Sequence, residues 1–253
     1  MDDFDANQDK VSLGFRRAAA SEKKKVVTRY FDRIARRYDL ADDLLSLGLH
    51  HVWKRRSVAL LGLPAGGVVL DVCGGTGDLA IGAARNVGPG GQVVVYDLSR
   101  NMIEVGREKV TNLAQSLPVR FVQGDAERLS FCDSTFDGAI VSFGIRNVAH
   151  PTLALREMFR VLKHGGRFVC LEFSLPTNGP LRAIYSLYSF RVMPSVGGWI
   201  TGAREPFTYL VESIRSFASP SRVQEMLREV GFSRVTIQRF LNGIAIAYRA
   251  VKP

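Results

Sequence analysis

Four aspartates, Asp71, Asp78, Asp97 and Asp125, stand at or soon after a glycine turn in a chain of 253 residues. The turn lies within VVLDVCGGTGDLA, residues 68–80. There an apolar run meets Asp71, passes through Gly74, Gly75 and Gly77, and resumes in a helical pattern. Glycine has no Cβ to hold ligand atoms away from the backbone, and a helix start offers free N–H groups. Two cofactor classes compete for such a turn. The run Gly75-Thr76-Gly77-Asp78-Leu79-Ala80 matches the dinucleotide pattern G-x-G-x-x-A, and Asp97 lies about the right distance beyond it for a ribose. Three features favour S-adenosylmethionine (SAM) instead. Asp78 puts negative charge where a pyrophosphate would sit. The carboxylates of Asp71 and Asp78 suit a ligand whose sulfonium and amino groups are cationic. Gly124-Asp125-Ala126 follows the third strand of the alternating region and offers a carboxylate to an adenine amino group.

Asp97 has two oxygens for two adjacent ribose hydroxyls, and Met102, one helical turn on, can cover an adenine face. Other readings stay open at this point. Asp97 can cap the helix that starts near Ser99, Asp125 can be a turn residue, and Met102 can be ordinary core.

These residues need a scaffold, and the pattern around them supplies one. Strands are expected at 68–72, 92–97, 119–123, 138–142 and 167–173, with helices at 78–86, 100–114 and 153–162. Gly165-Gly166 is expected to stop the last of these helices. Repeated β-α alternation implies a parallel sheet covered on both faces. The alternation lapses over 174–219, then resumes with a helix at 222–230 and strands at 235–240 and 244–250. The short Leu241-Asn242-Gly243 link makes those two strands an antiparallel hairpin. The expected fold is therefore α/β: a class I, Rossmann-like SAM methyltransferase sheet of seven strands, the last antiparallel, with helices on both faces. Residues 1–25 read as a loose polar segment and 26–253 as one domain. Within that domain 26–66 form a helical leader and 174–219 an insertion on the substrate side. The leader carries an amphipathic helix from Val26 to Tyr38, is interrupted at Asp39–Asp43, and turns helical again from about Leu44 to Leu61.

A hydrophobic fraction of 46% supports a real core, and no apolar segment approaches the roughly 18 residues of a membrane span. The acidic opening MDDFDANQDK argues against a targeting peptide. Cys73, Cys132 and Cys170 lack metal-site spacing and read as reduced residues, so no metal is expected. The net charge of +10 is concentrated between Arg16 and Arg37, where nine Lys/Arg face only Glu22 and Asp32. Such a run suits an anionic bilayer surface or nucleic acid, or is simply a solvated face.

From about Lys25 onward the chain resembles the ubiquinone/menaquinone biosynthesis C-methyltransferases (the UbiE/MenG family). The matching segments include Tyr38-Asp39, Gly48-Leu49-His50, Trp53-Lys54, the turn from Asp71 to Asp78, and Tyr209-Leu210-Val211-Glu212-Ser213-Ile214. The most specific are Phe143-Gly144-Ile145-Arg146-Asn147 and Leu171-Glu172-Phe173-Ser174. The resemblance implies SAM contacts at Thr76, Asp97, Asp125, Ala126 and Ser142. It also implies a polyprenylated quinol beside Arg146 and Asn147, with Tyr38 reaching in from the leader. One position departs: the family usually has Met-Asn where this chain has Ala41-Asp42.

The implied reaction methylates a ring carbon of a reduced quinone, which becomes nucleophilic as a neighbouring hydroxyl loses its proton. Arg146 is the expected oxyanion stabiliser, Asn147 holds the second oxygen, and Tyr38, His50 or a water is the base. A prenyl tail keeps such a substrate in a bilayer. The expected location is accordingly the cytoplasm, peripherally on the inner face of the cell membrane. The basic helix and the aromatic residues Tyr185, Tyr188, Phe190 and Trp199 would form the entrance. Nucleic acid is not an expected partner; a homodimer or a biosynthetic complex is. The competing readings are a SAM methyltransferase of another lipid, small aromatic or RNA, and a non-catalytic subunit that keeps the fold.

Overall fold

Valine-rich runs with polar residues only at their ends must be buried on both faces, and the chain arranges them so. The computed structural model describes residues 10–113 and 116–253. The acidic opening of residues 1–9 and the expected helix end at Ala114 lie outside the described residues. Seven strands form one sheet: β3 (Val68–Val72), β4 (Gln92–Asp97), β5 (Val119–Gln123), β6 (Phe136–Ser142), β7 (Leu162–Phe173), β8 (Ser233–Phe240) and β9 (Ala245–Val251). Their order is β5-β4-β3-β6-β7-β9-β8, and β9 runs antiparallel to both its neighbours. The expected sheet, with its last strand reversed, is the one observed.

Alternate residues of each central strand feed two cores. Leu70, Val72, Ala139, Val141 and Phe168 pack under α6 (Pro151–Val161) and α10 (Pro220–Val230). Val69, Val95, Ile140 and Val169 pack under α3 (Leu49–Leu61) and α4 (Asp78–Val87). The winding reverses between β3 and β6, which lie side by side. A ligand crevice belongs beyond the carboxyl ends of strands at such a point.

The leader is more ordered than its composition suggests. Residues 10–19, expected to be loose, form the hairpin β1 (Lys10–Leu13) and β2 (Arg16–Ala19), and α1 (Ala20–Ile34) begins before Lys25. Leu13, Ala18 and Val27 pack with Tyr209 from α9 (Glu205–Ser216), so a small apolar cluster fixes the polar segment. The Asp39–Asp43 run, expected as a break, lies inside α2 (Tyr38–Ser46). Asp39 sits in the first turn of that helix, where the helix dipole favours negative charge. Helix α1 stops at Ile34, short of the expected Tyr38, and a 3₁₀ turn over Ala35–Arg37 leads into α2; the next break is Leu47-Gly48, both left-handed (φ 52° and 72°).

Helix α6 ends at Val161 rather than at the glycine pair, and Gly165-Gly166 fall within the long strand β7. Ser99 caps α5 (Arg100–Thr111) by accepting the Met102 N–H at 3.2 Å, a role left open for Asp97. The 174–219 insertion is helical, formed by α7 (Gly179–Leu187), a π-turn over Tyr188–Val192, α8 (Met193–Thr201) and α9.

Candidate active site

A cavity of about 1000 Å³ opens beyond the carboxyl ends of β3, β4 and β6. Gly74, Thr76, Asp97, Met102, Asp125, Ala126 and Ser142 all line it, so every residue expected at the cofactor is brought to one place. The glycine turn achieves this with left-handed backbone at Gly75 (φ 55°) and Gly77 (φ 77°). Gly74 needs its missing side chain for another reason: a Cβ there would lie 2.8 Å from Asp71 Oδ2. Cys73 and Phe143, at the ends of β3 and β6, also hold positive φ (54° and 55°). Strained backbone of this kind gathers at ligand sites.

Asp97 accepts the Gly75 N–H at 2.9 Å and the Ser99 N–H at 2.8 Å, which fixes its carboxylate at the cavity wall. Burial pushes its pKa up to about 6 in spite of those donors. Asp71 is 1% exposed, and neither of its oxygens has a hydrogen-bond partner. Burial pushes it up to about 8, against the pull of Lys54. The Ser142 hydroxyl is also buried without a partner. Buried polar groups are normally paired. Unpaired ones around a cavity fit a ligand rich in hydroxyl and cationic groups, which SAM is.

Two of the expected carboxylates are already engaged by the chain. Asp78 contacts both Lys54, at 3.1 Å, and Lys109. Burial alone would raise it, but the two lysines override burial and hold it at about 2. Its charge is therefore shared with lysines rather than free for a cationic ligand. Asp125 Oδ2 accepts from Lys24 at 2.7 Å, and the same lysine reaches Glu127 at 2.8 Å. Lys24, Val27, Thr28 and Phe31 line the cavity, so α1 is one of its walls. The apolar stripe of that helix was legible in the sequence; the surface it covers was not.

A second cavity, about 1460 Å³ and mainly apolar, adjoins the first. Tyr38, Phe31, Phe143 and Asn147 belong to the walls of both. Its polar lining comes chiefly from Tyr38, Asp42, Arg146, Asn147 and Tyr209. Arg146 is buried, and its Nη1 donates to Glu172 Oε2 at 2.8 Å and to the Phe143 carbonyl at 2.5 Å. Burial opposes the Arg146 charge, yet Glu172 raises its pKa above the ordinary value. Three buried atoms here have no hydrogen-bond partner: Arg146 Nε, Asn147 Oδ1 and the Tyr209 hydroxyl. Burial, then the charge of Asp42, raises the Tyr38 phenol well above its usual range.

The sequence alone gives Glu172, Tyr209 and Lys54 no place at the site, although each lies in a segment that carries the resemblance. Their signal was the segment itself; their pairings are long-range and become visible only in the fold. His50, a candidate base, lines neither cavity. Tyr185 and Tyr188 do line the second cavity, whereas Trp199, 83% exposed, stands outside it. Leu47, Leu49 and Ile184 line the cavity and are exposed at the same time, so its mouth is apolar.

The basic run is not one solvated face. Lys23 is buried and donates to the Arg146 and Val148 carbonyls, Arg33 reaches Glu205, and Arg37 donates to the Ile200 carbonyl. Part of the leader's charge thus fastens it to the domain.

Known proteins resemble this chain over nearly its whole length. The model of the ubiE/COQ5 methyltransferase family matches residues 18–252. The ubiquinone/menaquinone biosynthesis C-methyltransferase UbiE of Pseudomonas fluorescens (strain Pf0-1) is 45% identical over 241 residues, 95% of this chain and 94% of that protein. The enzyme of the same name from Pasteurella multocida (strain Pm70) is 45% identical over 240 residues, 95% of this chain and 90% of that one. Among solved structures, a SAM-dependent methyltransferase from Thermotoga maritima aligns with a TM-score of 0.63 at 20% identity, covering 90% of this chain and all of that one. A phosphoethanolamine N-methyltransferase from Haemonchus contortus, solved in complex with SAM, aligns with a TM-score of 0.56 at 18% identity. That alignment covers 78% of this chain and 52% of the other. At such identities the two structures speak for the fold alone. The match across residues 18–252 and the near-full-length relatives go further: the chain belongs to the ubiE/COQ5 methyltransferase family.

Proposed function

We propose that this protein is a SAM-dependent C-methyltransferase that methylates a ring carbon of a polyprenylated quinol in ubiquinone or menaquinone biosynthesis. The observation that carries this reading is the wall shared by the two cavities. Tyr38, Phe143 and Asn147 stand between a pocket built on the glycine turn and lined by Asp71, Asp97 and Asp125 and a larger, more apolar one. Arg146, Asn147 and Tyr209, each with a buried polar atom that has no hydrogen-bond partner, are among the residues lining the larger pocket. An apolar molecule with ring oxygens fits that second pocket.

Asp97, Asp125, Thr76 and Ser142 hold the cofactor, and Met102, packed on the glycine turn, covers part of it. SAM supplies an electrophilic methyl group on its sulfonium. The chain's own task is to make the ring nucleophilic. A phenolic hydroxyl has a pKa of about 10 and is scarcely ionised near neutrality. Arg146 keeps its charge because Glu172 lies against it, and its Nε–H is left over for a developing phenolate oxygen. Asn147 and Tyr209 hold the second ring oxygen. Burial keeps Tyr38 protonated, so it donates a hydrogen bond and does not serve as a base. Asp42, the departure from the family pattern, is the carboxylate that lines the larger cavity among the described residues. It accepts the proton that the quinol hydroxyl gives up.

Docking on an anionic bilayer completes the reading. Among the described residues no helix is long and apolar enough to cross a membrane. A prenylated ring must then enter from a bilayer surface. Leu44, Leu47, Ile184, Leu187 and Trp199 are exposed on helices α2, α7 and α8 and on the turn after α2, and Lys25, Arg29 and Arg36 of the leader are exposed too. Each basic residue near an anionic surface contributes about 1 kcal/mol.

The test is transfer of label from SAM to short-tailed demethylated benzoquinol and naphthoquinol, with RNA as a control. Label on a quinol supports the reading. Label on RNA, or none anywhere although SAM binds, refutes it.

A further inference from the structure

The junction of α2 and α3 carries a cluster that neither cavity uses. The left-handed Leu47-Gly48 turn folds α3 back so that Asp43, His50 and His51 meet, with one donor atom of each within 4.8 Å of the others. Asp43 Oδ1 lies 2.6 Å from His51 Nε2 and 3.5 Å from His50 Nε2. The two imidazole centroids are 3.9 Å apart. His50 is 1% exposed, and its Nδ1 lies 2.6 Å from the Ser46 hydroxyl. Its Nε2 is buried and has no hydrogen-bond partner.

We propose that Asp43, His50 and His51 form a binding site for a divalent transition metal, with zinc the ion they suit best. A histidine packed only for its bulk has no reason to leave one ring nitrogen unpaired beside a carboxylate. In the tautomer that donates Nδ1–H to the Ser46 hydroxyl at 2.6 Å, Nε2 keeps a lone pair within the cluster. That is the outer support metal-bound histidines usually have.

The spacing agrees as well. Tetrahedral zinc with bonds of about 2.0–2.1 Å needs donors about 3.3 Å apart. The Asp43–His50 pair stands close to that separation. Asp43 and His51 are 47% and 59% exposed in their side chains, free to open from a direct hydrogen bond to accept an ion between them. Two imidazole nitrogens and one carboxylate select zinc-like ions over calcium or magnesium, which take oxygen donors. A water fills the fourth position. Asp42 Oδ2 is 3.7 Å from His50 Nε2, but Lys54 holds it at 3.3 Å.

An ion here would tie the end of α2 to the start of α3. Both flank the mouth of the apolar cavity through Leu45, Leu47 and Leu49. Binding would therefore stiffen one lip of that cavity without touching the reacting groups.

The experiment titrates zinc chloride into untagged, chelator-treated full-length protein by calorimetry, with a thermal melt at each ratio. The expected result is one saturable site per chain and a higher melting temperature with zinc. His51→Ala and Asp43→Ala, both at exposed side chains, should each weaken binding by roughly tenfold or more and remove the thermal shift. His164→Ala, a change at an exposed histidine elsewhere, should leave both intact. Absence of saturable binding at micromolar zinc overturns the proposal. So does binding that His51→Ala and Asp43→Ala leave unchanged.

Discussion

Nη1 of Arg146 and Oε2 of Glu172 lie 2.8 Å apart, with 5% and 2% of their side chains exposed. The other oxygen of Glu172 accepts the Arg146 backbone N–H at 3.2 Å, so one carboxylate fixes both the guanidinium and the turn that carries it. Breaking a buried pair by removing one partner leaves an uncompensated charge and costs roughly 3–5 kcal/mol. Glu172→Gln should therefore lower unfolding stability by about 3 kcal/mol, as read by chemical denaturation. Arg146→Ala should leave SAM affinity unchanged and lower quinol turnover by roughly 10²–10³-fold, the usual cost of losing an oxyanion donor. Calorimetry and single-turnover assays separate the two effects.

Asp97 and Asp71 give the site a pH signature. Both sit above the ordinary carboxylate range, at about 6 and about 8. In the ligand-free protein their contribution to stability is fully present below about pH 4. It is lost as pH rises through about 6 and then about 8. Ligand binding has the opposite sense. Ribose hydroxyls and a cation both favour the ionised carboxylates, so SAM affinity should rise with pH up to about 8 and then level off. At pH 7 binding should release nearly one proton from Asp71. Calorimetry in buffers of different ionisation enthalpy measures that release. Asp71→Asn should abolish it, and Asp97→Asn should flatten the lower part of the affinity profile.

Tyr38→Phe removes a donor from the wall common to both cavities without emptying it. Its kcat should fall by roughly 10²-fold, in line with loss of one donor to developing charge, while SAM affinity and melting temperature stay close to those of the parent. Asp42→Asn keeps the same shape. If Asp42 takes the quinol proton, this variant should lose rate by roughly 10²–10⁴-fold while SAM affinity stays unchanged.

How much of this was readable beforehand depends on the range of the interactions involved. The sheet was legible because each strand is a local run with a local stop. The valines of 68–72 and the Asp97 that ends β4 need no partner to be recognised. That the residues expected at the cofactor share one cavity was legible because they follow strand ends, and strand ends share one edge of a parallel sheet. The hairpin at 10–19 was missed because its stability comes from Tyr209, some 190 positions on in the chain. The pairing of Asp78 with Lys54 and Lys109, and of Asp125 with Lys24, was missed for the same reason. Charge partners far apart in sequence leave no periodic trace. The leader breaks on either side of the aspartates, at Ala35–Arg37 and at Leu47-Gly48, and not at them, because Asp39 is stabilised in the first turn of α2.

The apolar mouth gives a prediction independent of chemistry. Leu47 and Trp199 are 84% and 83% exposed. Changing both to glutamate should weaken retention on anionic vesicles at low salt by roughly tenfold or more, since it removes apolar contact and adds repulsion. SAM affinity should be unaffected, because neither residue lines the cofactor cavity. Vesicle sedimentation across a salt series reads the effect.

Methyl transfer to a ring carbon made nucleophilic beside Arg146 is the step on which the function turns. It is tested most directly with SAM labelled with ¹³C at the methyl, offered with one short-tailed demethylated quinol in reduced and in oxidised form. Carbon NMR of the extracted product distinguishes a methyl on carbon from one on oxygen. A carbon-bound methyl, formed only from the reduced ring and suppressed in Arg146→Ala, is the result this account predicts. An oxygen-bound methyl, or equal labelling of the oxidised ring, would contradict it.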